Sequence, residues 1–186
     1  MKTIKLLFGI LLLTFFIDAA AFAQSEEEMA MMGPGTEHEL LKKFDGKWDV
    51  KFKLNFDAAF DGTGSAECKT ILGGRFLQWE QQSEAMGMKF GAMNILGFDR
   101  RIKKYTIYGI DELGTYAVTG EGDYDAGKKI LTLSGKTLDP SGLSDKFQEY
   151  KFVYDLSTEN TIVMQVVFKM ADGKEKAIVE ATMKKM

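Results

Sequence analysis

Side chains able to do chemistry are scarce in this chain. His38 is the only histidine and Cys68 the only cysteine among 186 residues. Nucleophile–base catalysis of the Ser-His or Cys-His kind needs a positioned histidine. His38 falls in Thr36-Glu37-His38-Glu39, which reads as a capping box with Thr36 as N-cap and Glu39 reaching back. The histidine is therefore expected to be a solvated first-turn residue. Cys68 sits between Ala66 and Thr70 in a strand pattern, with no cation beside it, and reads as a small buried residue. Carboxylates are plentiful: Glu80, Glu84, Asp99, Asp111, Glu112 and Glu121 are candidates for one end of the fold. Two with separated pKa values would do acid–base work, but no spacing singles out a pair. Met29, Met31 and Met32 present thioethers soft enough for Cu(I), although a plain leader accounts for them. There is no Asp-x-Asp-x-Asp calcium loop. Gly73-Gly74 and Gly120-Glu121-Gly122 lack the helix that follows a phosphate loop. No metal and no cofactor is expected, and binding stands ahead of catalysis.

What remains is apolar surface. Trp48, Phe52 and Phe56 recur on one face of a strand, and Met164 with Phe168 on another. With Trp79 these are expected to line a ligand-binding interior, Trp48 forming its floor. Met86, Met88 and Phe90 are expected to gate the mouth, the methionines as flexible apolar groups.

The elements that must position these side chains are strands. Residues 46–56 alternate apolar and polar from Trp48 onward, the mark of a strand with one buried face. Further strands are expected near 64–72, 75–83, 88–97, 104–111, 115–122, 129–137, 145–154, 160–170 and 174–184. Phe98-Asp99, Tyr124-Asp125 and Tyr154-Asp155 each end a strand, and the aspartate there is suited to accept bonds from the turn's own amides. Nineteen glycines and two prolines fit many tight turns. About ten antiparallel strands with short turns twist into closure. The expected fold is an all-β, up-and-down barrel of eight to ten strands. A short helix with Leu40, Leu41 and Phe44 on its apolar face closes one end.

The N-terminus reads differently. Lys2 and Lys5, an apolar run from Leu6 to Ile17 and Ala21-Phe22-Ala23 make a secretory signal peptide. The run is too short to span a bilayer, which takes roughly 20 residues. Residues 1–23 are expected to be cleaved near Ala23, with 24–35 a flexible leader and 36–186 a single barrel domain. The product would be periplasmic or extracellular. Losing Lys2, Lys5 and Asp18 takes the net charge from −3 to −4. Charges of both signs are interspersed, so no nucleic-acid surface is implied.

Two resemblances follow from particular residues. Phe44-Asp45-Gly46-Lys47-Trp48, after a short helix and opening the first strand, resembles the Gly-x-Trp signature of lipocalins. In that family the helix closes one barrel end and the tryptophan packs across the floor. A longer likeness runs from about Pro34 to Lys185. Pro34-Gly35-Thr36-Glu37-His38, Ile71-Leu72-Gly73-Gly74-Arg75-Phe76-Leu77, Met86-Gly87-Met88, Gly97-Phe98-Asp99 and Glu121-Gly122-Asp123-Tyr124-Asp125 are similar to the family known as domain of unknown function 1579. That likeness implies a calycin-like, lipocalin-like barrel and carries over no catalytic residue. The nitrobindins, a related barrel class, hold haem through a late histidine, and residues 140–186 contain none.

The function expected is an exported, non-enzymatic barrel that binds a small hydrophobic or amphipathic molecule. The alternatives are an interaction module with a filled core, or a small-molecule enzyme using carboxylates at the mouth.

Overall fold

The alternation beginning at Trp48 becomes β1 (Gly46–Asn55). Trp48, Val50, Phe52 and Leu54 turn inward and are buried, while Lys47, Asp49, Lys51 and Lys53 face water. The computed structural model describes residues 31–138 and 145–186. The expected signal peptide, and the leader as far as residue 30, lie outside the described residues. Gly35–Met186 forms one compact unit.

Nine more strands follow: β2 (Ala59–Ile71), β3 (Phe76–Ala85), β4 (Met88–Asp99), β5 (Lys104–Asp111), β6 (Val118–Asp125), β7 (Ile130–Leu138), β8 (Phe147–Asp155), β9 (Thr161–Lys169) and β10 (Glu175–Lys185). Each pairs antiparallel with the next, and β10 returns to β1, setting Trp48 opposite Lys185 and Leu54 opposite Val179. The result is the closed up-and-down barrel that the patterning predicts. Closure brings the inward side chains of all ten strands around one interior.

Two strands depart from their expected bounds. β2 starts at Ala59 rather than 64, and β6 covers Val118–Asp125 rather than 115–122. The cause is shared. Gly62 and Gly64, and Gly120 and Gly122, occupy inward positions in these strands, so the apolar half of the alternation is missing from the sequence.

The helix before β1 is a 3₁₀ helix, Thr36–Lys43. Its N-cap is Gly35, and no side chain caps it there, so the expected Thr36 capping box is not formed. His38 does that work instead. Its Nδ1 accepts the Gly35 N–H at 3.0 Å, and its own N–H donates to the Gly35 carbonyl at 3.1 Å. The ring is buried and meets Phe98 edge-on at 5.9 Å. The expectation of a solvated histidine is thereby corrected: the ring is packed beneath the turn that it caps.

The helix plugs one barrel end through Leu40, Leu41 and Phe44, all buried. Trp48 Nε1 donates to the Phe44 carbonyl at 2.8 Å, and Tyr105 Oη donates to the Glu37 carbonyl at 2.9 Å. Asp45 accepts the Thr70 N–H at 2.6 Å and its hydroxyl at 2.7 Å. One strand thus holds the helix itself and two more hold the residues just after it, fixing a segment too short to persist as an isolated helix.

Candidate functional site

At the helix end the barrel is filled. Trp48, Leu77, Trp79, Leu96, Leu131, Leu133 and Met183 are almost fully buried. Phe44, Trp79 and Tyr154 form an aromatic knot with ring centroids 5.7 to 6.2 Å apart. Trp48 therefore lies where the floor was expected. Trp79, expected on the ligand wall, is a core residue of this lower half.

Towards the other end the interior changes character. Phe90, Phe152, Met164, Val166, Phe168 and Val179 are only half-buried. They are nonetheless inward, because they stand in register with buried partners or with one another: Phe152 opposite Leu133 and Val166, Met164 opposite Tyr154 and Ala181. An inward side chain that still meets solvent does so from inside the barrel. The accessible wall is concentrated on β8, β9 and β10. On β1, next to β10, Phe52 folds over Gly62, where an added Cβ would come within 2.2 Å of the ring, and meets Phe90 edge-on at 6.3 Å.

Polar groups also face inward. On β3, Trp79 Nε1 donates to Gln81 Oε1 at 3.2 Å, and Gln81 Nε2 donates to Ser83 Oγ at 2.8 Å. Asn94 on β4 stands opposite Trp79 and Gly109. Gln78 and Glu80, the neighbours of Trp79, are not on this face. Those two point outward and bond each other at 2.5 Å.

The rim is apolar. Phe56, Met86, Leu113 and Met170 are exposed in four connections at this end, and Met88 and Phe147 are exposed at the first positions of β4 and β8, Phe147 on the outward face. Phe56 lies beyond the end of β1, in the turn rather than on the wall where alternation placed it. Met86 takes a left-handed backbone conformation at φ 54° in the β3–β4 turn, and Met88 opens β4.

The sequence reading thus brings Phe52, Phe90, Met164 and Phe168 together and leaves Trp79 below them and Phe56 outside. It missed Tyr150, Phe152 and Tyr154, whose period-two spacing against Lys151, Val153 and Asp155 was the available signal. Gln81, Ser83 and Asn94 carry no such mark, since a polar residue at an inward position looks like a loop residue.

The six carboxylates do not converge. Asp99 lies at the helix end, where the Arg101 side chain and amide hold its carboxyl down at about 2. Glu112, at the mouth, is bonded to the Gly91 N–H at 2.7 Å. Glu80 and Glu121 face outward. The strand-end aspartates do serve their turns: Asp99, Asp125 and Asp155 accept the N–H of Arg101, Lys128 and Ser157 at 2.9, 3.0 and 2.8 Å. Burial pushes the Cys68 thiol up to about 12, with Asp45 and Glu67 adding to it, which removes its nucleophilic form.

Clefts on the outer wall carry charged side chains at their margins. One of about 480 Å³ crosses β7 to β10 and is lined by Lys136 and Lys169, both paired with Glu149 at 3.2 and 3.1 Å. Another of about 340 Å³ lies at the helix end among Lys42, Lys43, Lys129 and Lys185.

Among solved structures, the chain is similar to Rv2717c from M. tuberculosis, at 13% identity and a TM-score of 0.61 over 82% of this chain and 98% of that one. That likeness extends to the barrel fold. Weaker matches are the S-type phycobiliprotein lyase CPES from Guillardia theta, with TM-score 0.48, 10% identity and 88% and 98% of the two chains covered. A de novo designed fluorescence-activating β-barrel gives TM-score 0.43, 12% identity and coverage of 78% and 96%. No curated protein is significantly similar in sequence. The family described as "Protein of unknown function (DUF1579)" matches residues 33–185, from ahead of the 3₁₀ helix to the last residue of β10, and the chain belongs to that family.

Proposed function

We propose that the protein is an exported, non-enzymatic carrier or sensor that takes a small, largely apolar molecule into the upper half of its barrel. The observation that supports this is the graded interior. Beside the helix most inward side chains are sealed, with Phe98 and Tyr124 half-buried, whereas Phe152, Met164, Val166, Phe168 and Val179 on β8, β9 and β10 are all solvent-accessible. Accessible apolar surface inside a closed wall is unfavourable in water. A ligand that covers it gains roughly 25 cal/mol per Å² of apolar area removed, before binding costs. The apolar rim suits the same role, since a ring of exposed hydrophobic side chains marks a place of contact. Export rests on the basic start, short apolar run and Ala21-Phe22-Ala23 site of the first 23 residues.

The test is a titration of the mature chain with Nile red, a neutral apolar dye. The reading expects enhanced, blue-shifted emission that saturates at one dye per barrel. Phe152→Ala and Met164→Ala, which remodel the accessible wall, should shift the affinity. A filled interior that serves only as a scaffold would leave the dye in water and sink the proposal.

A further inference from the structure

The polar groups of the interior say which apolar molecules the site accepts. We propose that its ligand is an uncharged amphipath whose head exchanges neutral hydrogen bonds, such as an alcohol, a primary amide or a ketone. It is not a carboxylate or an ammonium ion. This rests on the interior being a binding site, as proposed above.

The first observation is what the inner wall lacks. Among the described residues, side chains charged at neutral pH in inward register occur only at the two ends. Lys185 lies over the Trp48 ring at the floor, 5.5 Å from its centroid. Asp111 and Lys176 lie at the rim, where Asp111 accepts the Leu113 N–H at 2.8 Å and Lys176 donates to the Phe56 carbonyl at 2.9 Å. Between those levels the wall offers no counter-ion. A charge carried into it would lose its hydration without a partner, which is far costlier than burying a neutral polar group that is hydrogen-bonded.

The second observation is what the wall holds instead. The chain Trp79→Gln81→Ser83 runs in one direction, so each acceptor is used and the Ser83 hydroxyl proton is left at the end nearer the mouth. Ser83 is buried, so its free donor faces the interior rather than bulk water. The Asn94 side chain, two residues along β4 from Leu96, makes no hydrogen bond among the described residues, and its half-buried amide offers two donors and an acceptor. Register sets the two four residues apart along the β3–β4 ladder, roughly 13 Å at about 3.3 Å per residue, so a head meets one of them: it accepts from Ser83 nearer the mouth or exchanges bonds with Asn94 deeper in. The aromatic faces of Phe152 and Phe168 supply the matching apolar wall.

The experiment is competition against bound Nile red by four C12 compounds below their aggregation limits at pH 8: dodecanol, dodecanamide, dodecanoate and dodecyltrimethylammonium. The neutral pair should displace the dye at least about tenfold more effectively than the charged pair. Asn94→Leu together with Ser83→Ala, in a chain whose circular dichroism is unchanged, should weaken dodecanamide roughly tenfold, the worth of one or two hydrogen bonds. Dodecanoate or the ammonium compound competing as well as dodecanol would overturn the assignment while leaving the interior a binding site. Failure of Nile red itself to bind would overturn both.

Discussion

The hydroxyl of Tyr150 on β8 serves both main-chain groups of Thr119 on β6, accepting its N–H at 3.0 Å and donating to its carbonyl at 2.6 Å. It does so across the intervening strand. The β6–β7 ladder runs from Asp125 opposite Ile130 as far as Glu121 opposite Ser134 and then stops. Beyond that point one side chain replaces the rungs that β7 no longer supplies. Burial raises the Tyr150 pKa, so the hydroxyl keeps its proton and its dual role at ordinary pH.

Tyr150→Phe should leave the Thr119 N–H and carbonyl unpartnered at a cost of about 1–3 kcal/mol. The expected outcome is a lower urea midpoint with an unchanged slope, and faster hydrogen exchange at the Thr119 amide. Unaltered exchange there would show that the bond does not hold the gap.

Gly135 lies beneath that bond, and an added Cβ would come within 2.1 Å of the Thr119 carbonyl oxygen and 2.6 Å of the Tyr150 hydroxyl. Gly135→Ala should therefore destabilise the fold, and part of its cost should vanish in the Tyr150→Phe background. A double-mutant cycle measures this; strict additivity would contradict the contact.

Burial lowers the pKa of His38, outweighing the backbone hydrogen bond with Gly35 and the charge of Glu37, which raise it. The unfolded chain then binds the proton more readily than the folded one. Stability contributed by the neutral ring is present above the unfolded value of about 6.5 and is lost as pH falls below it. Protonation would also replace the acceptor at Nδ1 that holds Gly35. Urea midpoints at pH 7.5 and 5.5 should differ for the native chain and converge for His38→Leu. The carboxylates Asp125, Glu149 and Asp155, whose pKa values are lowered by their partners, act below this window, so the two effects separate.

These positions also show how much could be read from residues alone. All ten strands and the closed barrel follow from period-two alternation and turn chemistry. The errors fall where the physics hides the signal. At Gly62, Gly64, Gly120 and Gly122 the inward face carries no side chain, so strand and loop look alike. His38 was misplaced because a capping box depends on side chains at fixed offsets, whereas the 3₁₀ turn uses a ring nitrogen of the residue three along. Phe56 kept the alternation one step after the ladder had ended. The interior polar set, Gln81, Ser83 and Asn94, becomes legible only through register, which fixes their parity against Trp79 and Leu96.

Cys68 should resist thiol reagents. It is 3% exposed, and at pH 8 its thiol lies far below its raised pKa of about 12. 5,5′-Dithiobis(2-nitrobenzoate) is expected to react with the native protein only as fast as the barrel opens, and at once in denaturant. The rate then reports opening of the floor. Trp48→Phe, which strands the Phe44 carbonyl, should raise it about tenfold or more, in line with a loss of 1–3 kcal/mol.

The seam between β1 and β10 has a consequence for the newly made chain. It joins the strands most distant in sequence, with the Met186 N–H donating to the Lys47 carbonyl at 2.9 Å. Until β10 has been synthesised, β1 and β9 are both raw margins with unsatisfied amides and carbonyls. The last strand is therefore the keystone, and its loop closure is the longest in the molecule, the kind that slows folding. A chain cut short before it would carry two open margins, each in register with the missing β10. Its natural remedy is the β10 of another copy, exchanged between molecules.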